Sequence, residues 1–160
     1  MKDITIAMLQ KRGVKLLDMA ELVYELQKKY IPVTLESALE NVEKVIEKRE
    51  VQNAILTGIH LDMLAEKDVI DEPLLSVLKN DDSLYGIDEI LALSITNIYG
   101  SIGFTNFGYL DKVKPGIIGV VNDQKGGQVN TFLDDLIAGI VAAACSRMAH
   151  AAEDDKIKRE

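Results

Sequence analysis

The 160-residue chain is predicted to be all-α, with one domain over residues 1–153 and a charged tail over 154–160. The expected architecture is a bundle of six to seven helices around a central C-terminal one. Three observations predict it. Apolar residues recur at three- and four-residue spacing in one segment after another, the period of a helix with one buried face. All three prolines fall at boundaries between these segments. Residues 136–145 form an unbroken apolar run with no polar stripe, so a helix there must be covered on most of its circumference. Within that run Ala138, Gly139, Ala142, Ala143 and Ala144 are small enough for neighbouring helices to approach closely.

The elements follow in order. Asp18 with Glu21 makes a capping box, and Ala20, Val23 and Leu26 carry a helical stripe to about Tyr30, where Pro32 breaks it. Thr34 is a good N-cap for a helix with Leu35, Ala38, Leu39, Val42, Val45 and Ile46 on one face and Glu43, Lys44, Glu47 and Lys48 on the other. A third helix runs from about Glu50 to Glu66 through Ala54, Ile55, Ile59 and Leu64. Pro73 opens a short fourth through Leu75 and Leu78, before the turn Asn80-Asp81-Asp82-Ser83. A fifth starts near Tyr85, carries Asp88 and Glu89 in its first turn, and ends around residues 100–103, where two glycines permit a break. A sixth covers residues 104–114. Residues 116–121, flanked by Pro115 and Asn122-Asp123, are expected to be an extended connector, and 123–128 a polar loop. The last helix is expected from Phe132 to about His150, with the chain beyond Glu153 frayed.

Composition excludes several classes. A net charge of −8 lacks the basic footprint of a nucleic-acid binder and the attraction that draws a protein passively to an anionic membrane. The longest apolar run is half the roughly twenty residues that a bilayer requires, so no spanning segment is expected. The start, Met1-Lys2-Asp3-Ile4-Thr5-Ile6, has no cleavable apolar core. One cysteine leaves no internal disulfide and suits a reducing cytoplasm; Cys145, inside the apolar run, is expected to be buried and inert. His60 and His150 stand in poor surroundings for catalysis, and two histidines with one cysteine do not suit a Zn site. Gly126-Gly127 lacks the Gly-Lys-Ser/Thr of a phosphate loop and is more simply a turn.

Carboxylates carry what chemistry there is. Asp134 and Asp135 open the apolar helix at positions about a hundred degrees apart, so both face solvent only if the helix mouth is open. If it is closed, two like charges share a low-dielectric site and need a cation or protons. Thr131 with Asp134 also fits a capping box, which explains one acid well and the second only weakly. Asp81 can be a turn or cap residue, Asp88 and Glu89 first-turn acids, and Asp111 with Lys114 an ordinary one-turn pair. Those structural roles do not explain why three acidic helix termini, each beside apolar sequence, recur in one chain. An all-carboxylate ligand set favours a hard cation, Mg²⁺ or Mn²⁺.

Three ordered blocks, Asp81 to Asp88-Glu89, then Phe107 to Asp111 and Lys114-Pro115, then Gly127 to Asp134-Asp135 with Ala138-Gly139, resemble the phosphatidylglycerophosphatase A family. The match covers roughly the C-terminal half. No single block is specific; the ordered set is. The resemblance implies a Mg²⁺-dependent enzyme that removes the terminal phosphate of phosphatidylglycerophosphate. It implies catalytic roles for Asp88, Glu89, Asp134 and Asp135, substrate contacts from Lys114 and Asp111, and metal ligands among Asp81, Asp88, Glu89, Asp111, Asp134 and Asp135. Two positions depart from the family pattern: its arginine is Gly108 here, and a glycine is Ala92. The missing arginine removes a bidentate phosphate donor that lysine does not reproduce. An alternative is therefore a non-catalytic, oligomeric helical binding or regulatory protein with a degenerate site. If active, the protein is expected in the cytoplasm, meeting a phospholipid phosphomonoester at the inner face of the membrane through Ile4, Ile6, Met8 and Leu9 with Lys11 and Arg12. A homo-oligomer is expected from the apolar character of the helices.

Overall fold

The computed structural model describes the backbone of residues 1–124 and 126–157 and side chains through Glu153. The described residues form α1 (Lys2–Lys11), α2 (Leu16–Gln27), α3 (Leu35–Ile46), α4 (Arg49–Glu66), α5 (Leu74–Asn80), α6 (Ile87–Thr96), α7 (Ser101–Val113), α8 (Ile117–Asn122) and α9 (Leu133–Ile157), with a single 3₁₀ turn at Asn97–Tyr99. The fold is all-α, and two helices, α1 and α8, add to those read from the sequence.

Helix α9 is the axis. It packs against α2, α3, α4, α6, α7 and α8, and every residue from Phe132 through Cys145 is buried. Gly139 has a specific reason: a β-carbon there would lie 2.9 Å from the Ala92 carbonyl oxygen on α6. The two helices meet backbone to backbone at that point. Residues Leu133–Glu153 are long and apolar enough to cross a membrane by length and composition, but 72% of that window is enclosed by the other helices. The last helix was expected to end near His150 and instead runs on to Ile157. Residues 158–160 of the expected tail lie outside the described residues.

Local signals explain most boundaries. Thr34 caps α3 as expected: its Oγ1 accepts from the Ser37 amide at 3.1 Å, and Ser37 Oγ accepts from the Thr34 amide at 3.0 Å. Asp18 does cap α2, but from inside the helix; it accepts from the Lys15 amide at 2.9 Å, so the helix starts three residues earlier than a box beginning at Asp18 implies. The expected extended connector over 116–121 is instead α8. Its Ile118 and Val121, one turn apart, are buried, so the apolar β-branched residues serve a helical stripe. Gly116 enters it at φ 56°. A β-carbon on Gly119 would lie 2.5 Å from the Lys114 carbonyl oxygen, so glycine is what lets α8 fold back beneath the end of α7.

Candidate active site

The acidic pair is closed, not open. Asp134 and Asp135 are each only 4% exposed, so the first turn of α9 places two carboxylates inside the protein. Burial of this kind needs compensation, and Lys114 supplies it. Its Nζ donates to Asp134 Oδ2 at 2.7 Å and to Asp111 Oδ1 at 3.0 Å, with Asp135 Oδ1 at 3.6 Å. The expected Asp111–Lys114 pair is therefore one edge of a cluster spanning α7 and α9.

One cavity of about 200 Å³ gathers the rest. Asp81, Asp88, Glu89, Asp111, Lys114, Asp134 and Asp135 all line it, together with Leu84, Tyr85, Asn122 and Thr131. Every site residue expected from the sequence thus borders a single space. Asp88 caps its own turn, with Oδ1 accepting from the Glu89 amide at 2.9 Å. Tyr85 stacks edge-on against Phe132, centroids 5.8 Å apart, and so ties the loop before α6 to the start of α9.

Charge in the cavity is unbalanced. Burial, reinforced by the Asp134 charge, pushes the Asp135 carboxyl well up from its ordinary range. Burial raises Asp134 too, although the Lys114 ammonium and its hydrogen bond pull the other way. Asp81 is raised by partial burial and by Asp88. Burial by itself lowers the Lys114 ammonium, but the Asp134 charge and the hydrogen bonds that Lys114 donates to Asp134 and Asp111 more than reverse this. One lysine does not neutralise this many carboxylates. An oxygen-only donor set of this charge fits a hard dication. As folded here, Lys114 sits among the acids, and among the described residues no three Asp, Glu, His or Cys side chains converge closely enough to hold an ion.

What aims the pair is a residue absent from the sequence-derived set. Asp62 on α4 is fully buried. Its Oδ1 accepts from the Phe132 amide at 3.1 Å and its Oδ2 from the Leu133 amide at 3.2 Å, so it caps α9 from another helix. Burial pushes its carboxyl up to about 8 against those two bonds and the Arg12 charge. The expected Thr131–Asp134 capping box does not form; Thr131 Oγ1 donates instead to the Leu78 carbonyl at 2.6 Å. Arg12, expected on a membrane-facing stripe, is buried with Leu9. It bonds Glu66 at 2.6 Å, the Val129 carbonyl at 2.6 Å and Asn130 Oδ1 at 2.7 Å. The one available signal was position: Asp62 follows Gly58 and Ile59 at four- and three-residue spacing on the buried face of α4. An acid on an apolar stripe needs a partner.

His60 bonds the Leu56 carbonyl in its own helix, is exposed, and takes no part. Cys145 is buried, and burial pushes its thiol up to about 12, so it is inert as expected.

Comparison with known proteins agrees with this geometry. Residues 5–150 match the family model PgpA, Phosphatidylglycerophosphatase A. The chain is 58% identical to the uncharacterized protein YutG of Bacillus subtilis, covering 91% of this chain and 89% of that one. To the uncharacterized YpjQ of the same organism it is 54% identical, covering 96% and 87%. It is similar to the solved structure of a protein of unknown function from Bacillus stearothermophilus, with TM-score 0.92, 59% identity and 95% of each chain covered. It is similar also to that of the low temperature requirement C protein of Listeria monocytogenes, with TM-score 0.92, 54% identity, and 95% and 96% covered. The match spans nearly the whole chain, well beyond the three acidic blocks, and the chain belongs to the phosphatidylglycerophosphatase A family.

Proposed function

We propose that this protein is a Mg²⁺-dependent phosphomonoester hydrolase acting on phosphatidylglycerophosphate. The observation that carries the reading is the convergence of Asp81, Asp88, Glu89, Asp111, Asp134 and Asp135 with Lys114 on one cavity. Such a set is costly as mere architecture, because buried like charges raise one another's energy. It has a use where a cation and a phosphate enter together. Asp88, Glu89, Asp134 and Asp135 would hold the ion, with Asp81 and Asp111 at its edge.

A bound Mg²⁺ supplies neutralisation of charge on the phosphate oxygens and a more acidic water. The remaining work falls to the chain. Lys114 contributes a point charge to the phosphate. A carboxylate that the ion leaves free can take a proton from the water and pass it to the leaving alcohol. A water oxygen bonds to phosphorus, the ester P–O bond breaks, and the alcohol departs with a proton. A carboxylate nucleophile is the rival within the same class.

The mouth of the cavity supports a lipid substrate. Leu84, which lines it, is fully exposed, and Ile87 and Ile90 stand exposed on the following helix. An apolar lip beside a phosphate site suits acyl chains better than solvent. In this reading the protein works at the inner face of the membrane. We also propose that it self-associates, through exposed Ile102 and Tyr109, seven residues apart on one side of α7; sedimentation equilibrium showing only monomer at micromolar protein would remove that part alone.

One observation favours the non-catalytic alternative. Gly108 leaves open space where the family arginine stands, so a phosphate donor is missing. Purified protein incubated with dispersed phosphatidylglycerophosphate decides between the two. Phosphate release that needs Mg²⁺ and stops on chelation supports the enzyme; lipid binding without release supports the alternative.

A further inference from the structure

We propose that Arg12, just past the end of α1, is a positioning residue for the carboxylate site, an inference that rests on the phosphatase reading above. It acts through residues 129–131, part of the non-helical stretch that leads into α9. Val129 and Thr131 are buried, and a buried loop must find partners for its backbone polar groups without a helix or sheet to supply them. For Val129 an ion pair supplies them. Arg12 Nη2 donates to the Val129 carbonyl at 2.6 Å, and Glu66 Oε1 accepts from the Val129 amide at 2.9 Å. Arg12 Nη1 donates to that same Glu66 oxygen at 2.6 Å. A pair formed between the end of α1 and α4 thus grips one loop residue from both sides.

Through Asn130 the same arginine reaches a second wall of the cavity. Its Nη2 also donates to Asn130 Oδ1 at 2.7 Å, and Asn130 Nδ2 donates to the Val121 carbonyl on α8 at 3.0 Å. A guanidinium only donates, so it fixes which end of the amide faces it and leaves the NH₂ for α8. Asn122, next after Val121, lines the carboxylate cavity, as do Thr131, Asp134 and Asp135. One side chain therefore sets the loop before the acid pair and, through one amide, its spacing from the end of α8. Arg12 is 5% exposed and does not line that cavity, so its effect on the chemistry is indirect. Two nitrogens of a rigid fork serve three oxygens here, where a lysine would offer one nitrogen.

Mn²⁺ titrated into the purified protein and followed by calorimetry reads the site without turnover. Arg12→Met should weaken Mn²⁺ binding about tenfold, a typical loss when a group that orients metal ligands from outside is removed. Arg12→Lys should weaken it less. The kcat on phosphatidylglycerophosphate with saturating Mg²⁺ should fall in the same order. Val14→Ala, which removes buried apolar volume two residues on, is the control for plain destabilisation. It should lower the urea midpoint and leave Mn²⁺ affinity unchanged. Each variant is compared where urea unfolding shows it folded; if Arg12→Met does not fold, Arg12→Lys against Val14→Ala decides. Parent-like Mn²⁺ affinity in the Arg12 variants, or an equal loss in Val14→Ala, overturns the positioning role and leaves the phosphatase standing. If the parent binds Mn²⁺ but releases no phosphate, the phosphatase falls, and the expected order of affinities still supports Arg12 as positioning the ion site. A parent that binds no Mn²⁺ overturns both.

Discussion

Lys114 Nζ lies 2.7 Å from Asp134 Oδ2, and the same lysine closes α7 with its backbone in the left-handed region, at φ 46°. A side chain is rarely held there, because the β-carbon crowds the following carbonyl. Of the four non-glycine residues at positive φ among the described residues, Asp81, Leu84 and Lys114 line the carboxylate cavity. Strain and uncompensated charge therefore collect in one place, as they do where geometry serves binding more than stability.

Removing that lysine should expose its role. Lys114→Met keeps length and loses the charge, leaving Asp134 and Asp135 buried without a cation. Breaking a partly buried pair of this kind should cost about 1–3 kcal/mol, measured by urea unfolding at neutral pH without metal. The loss should shrink at pH 5, where the two acids take up protons instead.

Stability of the metal-free protein should fall as pH rises. Asp62, Asp134, Asp135 and Asp81 are all raised in the folded state, so between an ordinary carboxyl value of about 4 and the higher folded values the native state binds more protons than the unfolded one. The contribution is fully present below the unfolded values and is lost as pH climbs through the folded ones, with Asp62 reaching about 8. Thermal melts from pH 4.5 to 8.5 should show this decline. Millimolar Mg²⁺ should raise Tm more at pH 8 than at pH 5; an equal rise at both would contradict the carboxylate site.

Asp62→Asn tests the cap. One amide oxygen replaces two carboxylate oxygens, so one of the Phe132 and Leu133 N–H groups loses its partner at the buried start of α9. The expected cost is about 1–2 kcal/mol, and turnover should fall with it because Asp134 and Asp135 ride on that turn. A fully active variant would mean that Asp62 is structural only.

Leu84→Asn addresses the lip. Asparagine tolerates the left-handed backbone better than leucine, so the fold should be unharmed or slightly stabilised. The preference for vesicle-borne over short-chain substrate should drop about tenfold, as expected for losing one apolar contact of a leucine's size. An unchanged preference would remove the apolar lip from the account of how an acidic protein reaches a lipid.

Much of this was legible in the residues. The apolar run around Ala138 and Gly139 announced a core helix, and its paired acids announced a buried charge problem. The ordered blocks named the residues that line the cavity. What stayed hidden depends on distance in sequence. The cap on α9 comes from Asp62, seventy residues before Phe132, while a local candidate, Thr131, is drawn away to Leu78. Arg12 looked like a surface charge because its partners, Glu66, Val129 and Asn130, are all remote. Residues 116–121 looked extended because their β-branched content outweighs a helical stripe only six residues long; packing on α9 reverses that preference.

The central claim is that the carboxylates around Asp134 perform phosphate chemistry. Asp134→Asn retains shape and a hydrogen-bond acceptor for Lys114 while removing one charge, so the fold should survive by circular dichroism. Inorganic phosphate released from phosphatidylglycerophosphate with Mg²⁺ is the direct readout. The parent should release it, and the variant should be slower by about a hundredfold or more. Equal rates in parent and variant would contradict the assigned site.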